Sequence, residues 1–107
     1  MAYQRINICA KPGTDEFYQF RLKDSSAEVV DLTGSTGFIG PIVNKITGGA
    51  VGDMTFEASL SDLVNGLVVM KLEDTIVLPE LSSYSVNYTD ALGNTKTLSF
   101  GLITLVY

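Results

Sequence analysis

The chain has 107 residues, the usual size of one domain, and we expect residues 1–107 to form a single domain. Hydrophobic residues make up 46% and charged residues 18%, which excludes a disordered acidic chain because this much apolar surface supports a packed core. Twelve acidic and seven basic residues give a net charge of −5, which repels phosphate backbones and excludes nucleic acid as an expected partner.

Two further features of the sequence bear on where the protein acts. No basic segment followed by an apolar one begins the chain, so we expect no signal peptide and synthesis in a cytoplasm. The apolar stretches are shorter than the roughly 20 residues that a membrane helix needs, so we expect no membrane partner.

Cys9 is the single cysteine, which excludes an intramolecular disulfide, and we predict a buried structural thiol there.

Alternation of apolar and polar residues with period two predicts β-strands along most of the chain. In chain order, the predicted strands cover residues 5–9, 17–23, 54–60, 67–72, 84–89 and 97–107. Their predicted inward residues are Ile6, Ile8, Tyr18, Phe20, Leu22, Met54, Phe56, Ala58, Leu60, Tyr84, Val86 and Tyr88. Residues 67–72 are almost continuously apolar, which is typical of a central strand. Gly101 predicts a bulge in the last strand, and the terminal segments 2–10 and 97–107 are predicted edge strands.

Turn residues separate these strands at the spacing of an antiparallel sandwich. The turn signals are Pro12-Gly13, Asp24-Ser25-Ser26, Gly48-Gly49, Gly52-Asp53, Asn65-Gly66 and residues 90–94. Residues 61–65 and 74–78 predict single helical turns. The sequence therefore predicts an all-β fold: an antiparallel, immunoglobulin-like β-sandwich of about seven strands with one or two short helical turns. Tyr84 fits the tyrosine corner of such folds, or is one more strand aromatic.

A glycine-rich segment, residues 33–40, resembles the nucleotide-binding turn of extended short-chain dehydrogenases through Gly34, Gly37 and Gly40. That motif requires a strand before it and a long helix after it, whereas Gly48-Gly49 interrupts any helix that starts at Pro41. No tyrosine is followed four residues later by a lysine, as that family requires. We therefore expect no cofactor site and predict that these glycines serve turns and bulges.

The sequence offers little other chemistry, so we expect no enzyme, no catalytic residues and no metal site. It contains no histidine, which removes the commonest general base and metal ligand. Acidic residues cluster in predicted loops without the alternating pattern of a calcium loop, so a solvated rim is expected. A carbohydrate-binding module remains an alternative if Tyr18, Phe56 and Tyr88 form an exposed platform instead of facing the core.

Three segments of the chain carry a further pattern. In the first, residues 20–24 are followed by residues 29–34, where an apolar pair precedes Asp-Leu-Thr-Gly. The second joins Leu72, Thr75 and Leu81 to residues 84–88. The third is residues 90–94 followed by Leu98, Gly101 and residues 103–105. Together these segments resemble small tail and baseplate domains of tailed bacteriophages, and the third is similar to their closing hairpin, although residues 24–27 lack the glycine that is usual in those domains.

The resemblance implies an immunoglobulin-like structural domain of a phage virion, made in the host cytoplasm. It implies a non-catalytic protein that is tail-associated or decorates the capsid as a cement component. The implied partners are other virion proteins, bound through sheet edges and loops. It also implies that the chain forms a homo-oligomer or is present in many copies in one particle. Recognition of host-surface glycans is the alternative function.

Overall fold

The computed structural model describes residues 4–11, 13–24 and 26–105, and this part of the chain is all-β. Pro12, Ser25 and the last two residues of the predicted C-terminal strand lie outside the described residues. The strands are β1 (Gln4–Arg5), β2 (Ile8–Ala10), β3 (Glu16–Arg21), β4 (Thr36–Asn44), β5 (Ala50–Phe56), β6 (Leu67–Leu72), β7 (Leu81–Thr89) and β8 (Thr95–Leu105). Two 3-10 turns, Ala58–Leu60 and Leu63–Asn65, connect β5 to β6.

The strands form one mixed sheet that curls into a nearly closed barrel. Its order is β1, β8, β7, β4, β5, β6, β3, and β2 continues β1 along the same side of β8. β1 and β2 both run parallel to β8, which corrects the prediction of a purely antiparallel arrangement. The parallel pair is possible because the whole intervening chain serves as the long connection that parallel strands require. β8 therefore lies inside the sheet, and the prediction that it is an edge strand is wrong.

The inward faces of all the long strands share one hydrophobic core. Tyr18, Phe20 and Leu22 face inward as their alternation predicts, and so do Tyr84, Val86 and Tyr88. A bulge at Leu98 in β8, opposite the pair Val86 and Asn87, lets the consecutive residues Leu98 and Ser99 both be buried.

The structure corrects the prediction for residues 54–60. Strand β5 begins earlier, at Ala50, so Gly52-Asp53 lies within a strand and not in a loop. A bulge at Val51 interrupts the period-two pattern there, which hides the start of this strand from the sequence. The chain then leaves the sheet, and Leu60 is exposed in a 3-10 turn because the Ser61 hydroxyl donates to the Glu57 carbonyl oxygen and accepts the Val69 amide.

Other local predictions had mixed outcomes. Strand β6 has the predicted bounds, and residues 90–94 form the predicted turn between β7 and β8. The predicted helical turn at 61–65 is present as Leu63–Asn65, whereas the one at 74–78 is wrong, since only a turn at residues 74–75 is observed. Asn65-Gly66 closes a tight loop in which Asp62 pairs with Leu67.

Cys9 is exposed, which corrects the prediction of a buried thiol. Ile8 and Ala10 occupy the inward positions of β2, so the side chain between them must point outward.

Tyr84 and Gly101 have roles that differ from those predicted. They are direct register partners in β7 and β8, so Gly101 is not in a bulge. A β-carbon at Gly101 would overlap the carbonyl group of Ile6, which crosses directly above it. The Tyr84 hydroxyl donates to that same carbonyl oxygen at 2.6 Å. A tyrosine corner would bond to backbone a few residues upstream, so Tyr84 instead ties the N-terminal segment to the sheet.

Candidate assembly surfaces

The glycine-rich segment forms a turn and a strand, not a nucleotide-binding helix. Gly34, with a φ of 86°, lies in the turn, and Gly37, with a φ of 66°, lies at a bulge between β4 and β7. Gly40 is buried, and a β-carbon there would lie 2.9 Å from that of Met54. Two of the glycines thus serve a turn and a bulge as predicted, while the third permits close packing of β4 on β5.

The loop carboxylates hold turns together. The Asp24 carboxylate accepts the amides of Ser26 and Glu28, and the Asp31 carboxylate accepts the amide and hydroxyl of Thr33. The Asp90 carboxylate accepts the amides of Leu92 and Asn94 and pairs with Lys96 at 3.1 Å. The bonds from Thr33 lower the pKa of Asp31, and the bonds from Asn94, Lys96 and Leu92 lower that of Asp90. Within the described ranges, no three acidic or thiol side chains lie close enough together to hold a metal ion.

The candidate sugar-stacking aromatics lie in or against the core. Tyr88 is buried, and Phe38 stacks on it and on Phe56 at ring distances of 5.5 and 4.5 Å. The Tyr18 hydroxyl is buried without a hydrogen bond to any described residue. Its pKa is raised, first by burial and then by the charge of Glu16. The half-exposed Phe17, on the outer face of β3, was not among the predicted aromatics.

One end of the barrel is strongly acidic. It consists of three loops, residues 22–35, 57–66 and 90–94, which together carry six carboxylates and one lysine, a net charge of −5. We call this surface the acidic end. The Leu32 amide donates to the Leu63 carbonyl, and Gly34 lies against Ala91, so the loop of residues 22–35 contacts both other loops. The exposed apolar side chains of this end are Val29, Leu60, Val64 and Leu92.

The outer face of the sheet carries a shallow groove of about 430 Å³, which we call the outer groove. Its floor is Ser83 and Ser85 on β7, which lie between larger apolar residues on the neighbouring strands. These larger residues are Pro41 and Val43 on β4, and Phe100 and Leu102 on β8. The charged residues that line the groove are Arg5 and Lys45.

Sequence reasoning missed both surfaces. Part of the signal for the groove was present, since Ser85 is a small residue at an outward position of the predicted strand 84–89. Ser83 precedes the predicted start of that strand, and the neighbours that make the two serines a groove come from distant segments. The described helical segments are single 3-10 turns, and none is long enough to cross a membrane.

The chain matches no protein-family model, and no curated protein matches it in sequence.

Proposed function

We propose that the chain is a non-catalytic structural subunit of a bacteriophage particle, either tail-associated or capsid-decorating, that assembles through its loops and outer sheet face. The acidic end carries the proposal. Four apolar side chains are exposed there on loops that backbone and carboxylate hydrogen bonds hold in place. Exposed apolar residues on a structured, charged surface are typical of a protein–protein contact.

We also propose that the fold is immunoglobulin-like, as the phage resemblance implies. If β3 to β8 are strands B, C, D, E, F and G, the observed neighbours B–E, E–D, C–F and F–G are those of an immunoglobulin domain. Two features differ from that pattern. β5 pairs with both β4 and β6, which joins the two sheets, and the N-terminal strands pair with G.

The polar groups support a role without catalysis. Asp24, Asp31 and Asp90 are engaged in turns at the surface, and the exposed Cys9 has no histidine in the sequence to activate it. The glycan-binding alternative has less support, because Tyr18, Phe56 and Tyr88 pack in or against the core and offer no flat exposed platform.

The test is mass spectrometry of particles purified from a lysate of the phage that encodes the chain. We expect the chain in the particles at a fixed ratio to the major capsid or tail protein. Its absence from purified particles, or a source that makes no particles, would contradict the proposal. A glycan array with the purified protein tests the alternative independently.

A further inference from the structure

The outer groove is shaped to receive a protruding side chain. Ser83 and Ser85 form its floor, and bulkier apolar residues stand on the strands at both sides. Because neighbouring strands lie about 4.8 Å apart, the backbones of β4 and β8 that carry the two walls are separated by about 10 Å. The wall side chains narrow this distance, so the space above the two serines suits one inserted side chain.

The charge of the groove is opposite to that of the chain. Arg5 and Lys45 line it, and neither forms an ion pair with a described carboxylate. Lys71 and Lys96, by contrast, pair with Asp15 and Asp90. On a chain of net charge −5, two cations without an ion pair to any described carboxylate, beside apolar groove walls, favour an occupant that is apolar and acidic.

The acidic end of the same chain combines exposed apolar side chains with a negative charge. Leu92 is 86% exposed at the tip of the turn between β7 and β8. The Asp90 carboxylate holds that turn by accepting two of its amides, so Leu92 is presented on a rigid tip. Gly34 contacts Ala91 in this turn, which brings the acidic loop of residues 22–35 beside Leu92.

We propose that the outer groove is the docking site for the acidic end of a second copy of this chain, with Leu92 entering between the groove walls. The contact is heterologous, since a loop end meets a sheet face. In a pair, one copy keeps a free groove and the other keeps a free tip. Repetition of this contact gives a ring or an open filament. The inference concerns the purified chain and does not rest on its presence in a virion.

Other arrangements of two copies fit the charges less well. Packing two outer grooves face to face would bring Arg5 and Lys45 of one copy against the same residues of its partner, with no described carboxylate lining the groove to neutralise them. Packing two acidic ends together would bring two acidic surfaces into contact, each of charge −4 when the Lys96 that pairs with Asp90 is included. Both are opposed by like-charge repulsion, whereas the tip-to-groove contact pairs opposite charges.

The experiment is sedimentation velocity of the purified full chain over a range of concentrations, at low and high ionic strength. We expect the wild type to self-associate reversibly, and more weakly at high salt. Leu92→Ser should weaken self-association about tenfold to a hundredfold, as expected for the loss of one buried leucine side chain. Lys45→Glu should weaken it about tenfold.

Each variant has a matched control outside both the groove and the acidic end. Val77→Ser removes an apolar side chain that is 87% exposed, and Lys11→Glu reverses a charge that does not line the groove. Both controls should associate like the wild type. Circular dichroism and urea unfolding should show the wild-type fold in all four variants, because every substituted residue is exposed.

Mixing the two variants tests the geometry directly. Lys45→Glu keeps an intact tip and Leu92→Ser keeps an intact groove, so an equimolar mixture should form a 1:1 dimer that does not grow. Self-association of Leu92→Ser at wild-type strength would indicate a groove-to-groove contact, and the same result for Lys45→Glu would indicate a tip-to-tip contact. Either of these two results would overturn the proposal. So would a wild type that is strictly monomeric, or a mixture of the two variants that forms no dimer.

Discussion

The carbonyl group of Ile6 is the point at which the N-terminal segment is attached to the barrel. It lies above Gly101 and accepts the Tyr84 hydroxyl, while the Ile6 amide donates to the Phe100 carbonyl at 2.9 Å. β1 ends just before this residue and β2 begins two residues after it. β1 and β2 are therefore separated at Ile6, where the contact made by its carbonyl group requires both a tyrosine hydroxyl and a glycine.

Gly101→Ala should destabilise the protein by about 2–3 kcal/mol, because the added methyl group would overlap the Ile6 carbonyl group and displace the N-terminal strands. Urea unfolding measures this change. Gly49→Ala is the control. Gly49 is exposed, its φ is not positive, and an added β-carbon would lie no closer than 3.4 Å to the Thr47 hydroxyl oxygen, so we expect a change within about 0.5 kcal/mol. Equal effects of the two substitutions would show that Ile6 does not approach Gly101 closely.

Two tyrosines should respond in opposite ways to loss of the hydroxyl group. Tyr84→Phe leaves the Ile6 carbonyl oxygen without its donor, and we expect a loss of about 1–2 kcal/mol in the free energy of unfolding. Tyr18→Phe removes a buried hydroxyl that has no partner among the described residues, so stability should stay unchanged or rise by up to about 1 kcal/mol. Thermal and urea unfolding of both variants check this pair, and a larger loss in Tyr18→Phe would contradict it.

At the scale of elements, the hairpin of β7 and β8 organises the molecule. It supplies β8, the longest strand, together with β7, the bulge at Leu98 and the tip that carries Leu92. The tip is fixed by one carboxylate, since Asp90 accepts the amides of Leu92 and Asn94 and pairs with Lys96. The same group thus holds the turn and contributes charge to the acidic end.

This turn should make stability depend on pH in the acid range. The pKa of Asp90 is lower in the folded chain than its ordinary value of about 3.9, so its contribution is complete above that value and is lost as pH falls through the folded pKa. Asp90→Asn keeps an acceptor oxygen but removes the titrating group, and its urea midpoint should fall less than that of the wild type between about pH 5 and pH 3. Glu80→Gln, which replaces an exposed carboxylate outside this turn, serves as the control and should keep the wild-type pH dependence. Parallel curves for wild type and Asp90→Asn would contradict this role.

At the scale of the whole molecule, the sheet order sets which parts open most easily. β7 is hydrogen-bonded on both sides, to β4 and β8, and four of its side chains are buried. β1 is a two-residue edge strand, and β3 pairs with β6 alone. Local opening near an edge disrupts fewer hydrogen bonds and less buried apolar surface than opening at the centre.

Amide hydrogen exchange should follow that order. We expect the amides of Tyr84 and Val86 to exchange slowest, at rates set by global unfolding, and those of Gln4 and Arg5 to exchange fastest among the strand residues. NMR measures the exchange rate of each amide. The free energies of opening obtained from these rates are then compared with the free energy of unfolding in urea. Equal protection of β1 and β7 would mean that the N-terminal segment is held far more tightly than its short pairing indicates.

Local alternation predicted much of the barrel interior. The inward residues of β3 and β7 were identified because each strand is regular and one of its faces is buried. The errors fell where the backbone departs from period two: at the bulge at Val51, at the bulge at Leu98, and after Phe56, where the chain leaves the sheet although apolar residues continue to alternate.

The sequence by itself determined an all-β class, the inward faces of the regular strands, the turn at residues 90–94 and the failure of the glycine-rich segment to start a helix, because these depend on near neighbours along the chain. Tertiary structure decided the parallel pairing of the first strands with the last, the acceptor of the Tyr84 hydroxyl and the outer groove. Each of these requires residues as far apart as Ile6 and Tyr84 to meet. Such contacts follow from how the whole sheet curls around its core, which no local pattern encodes.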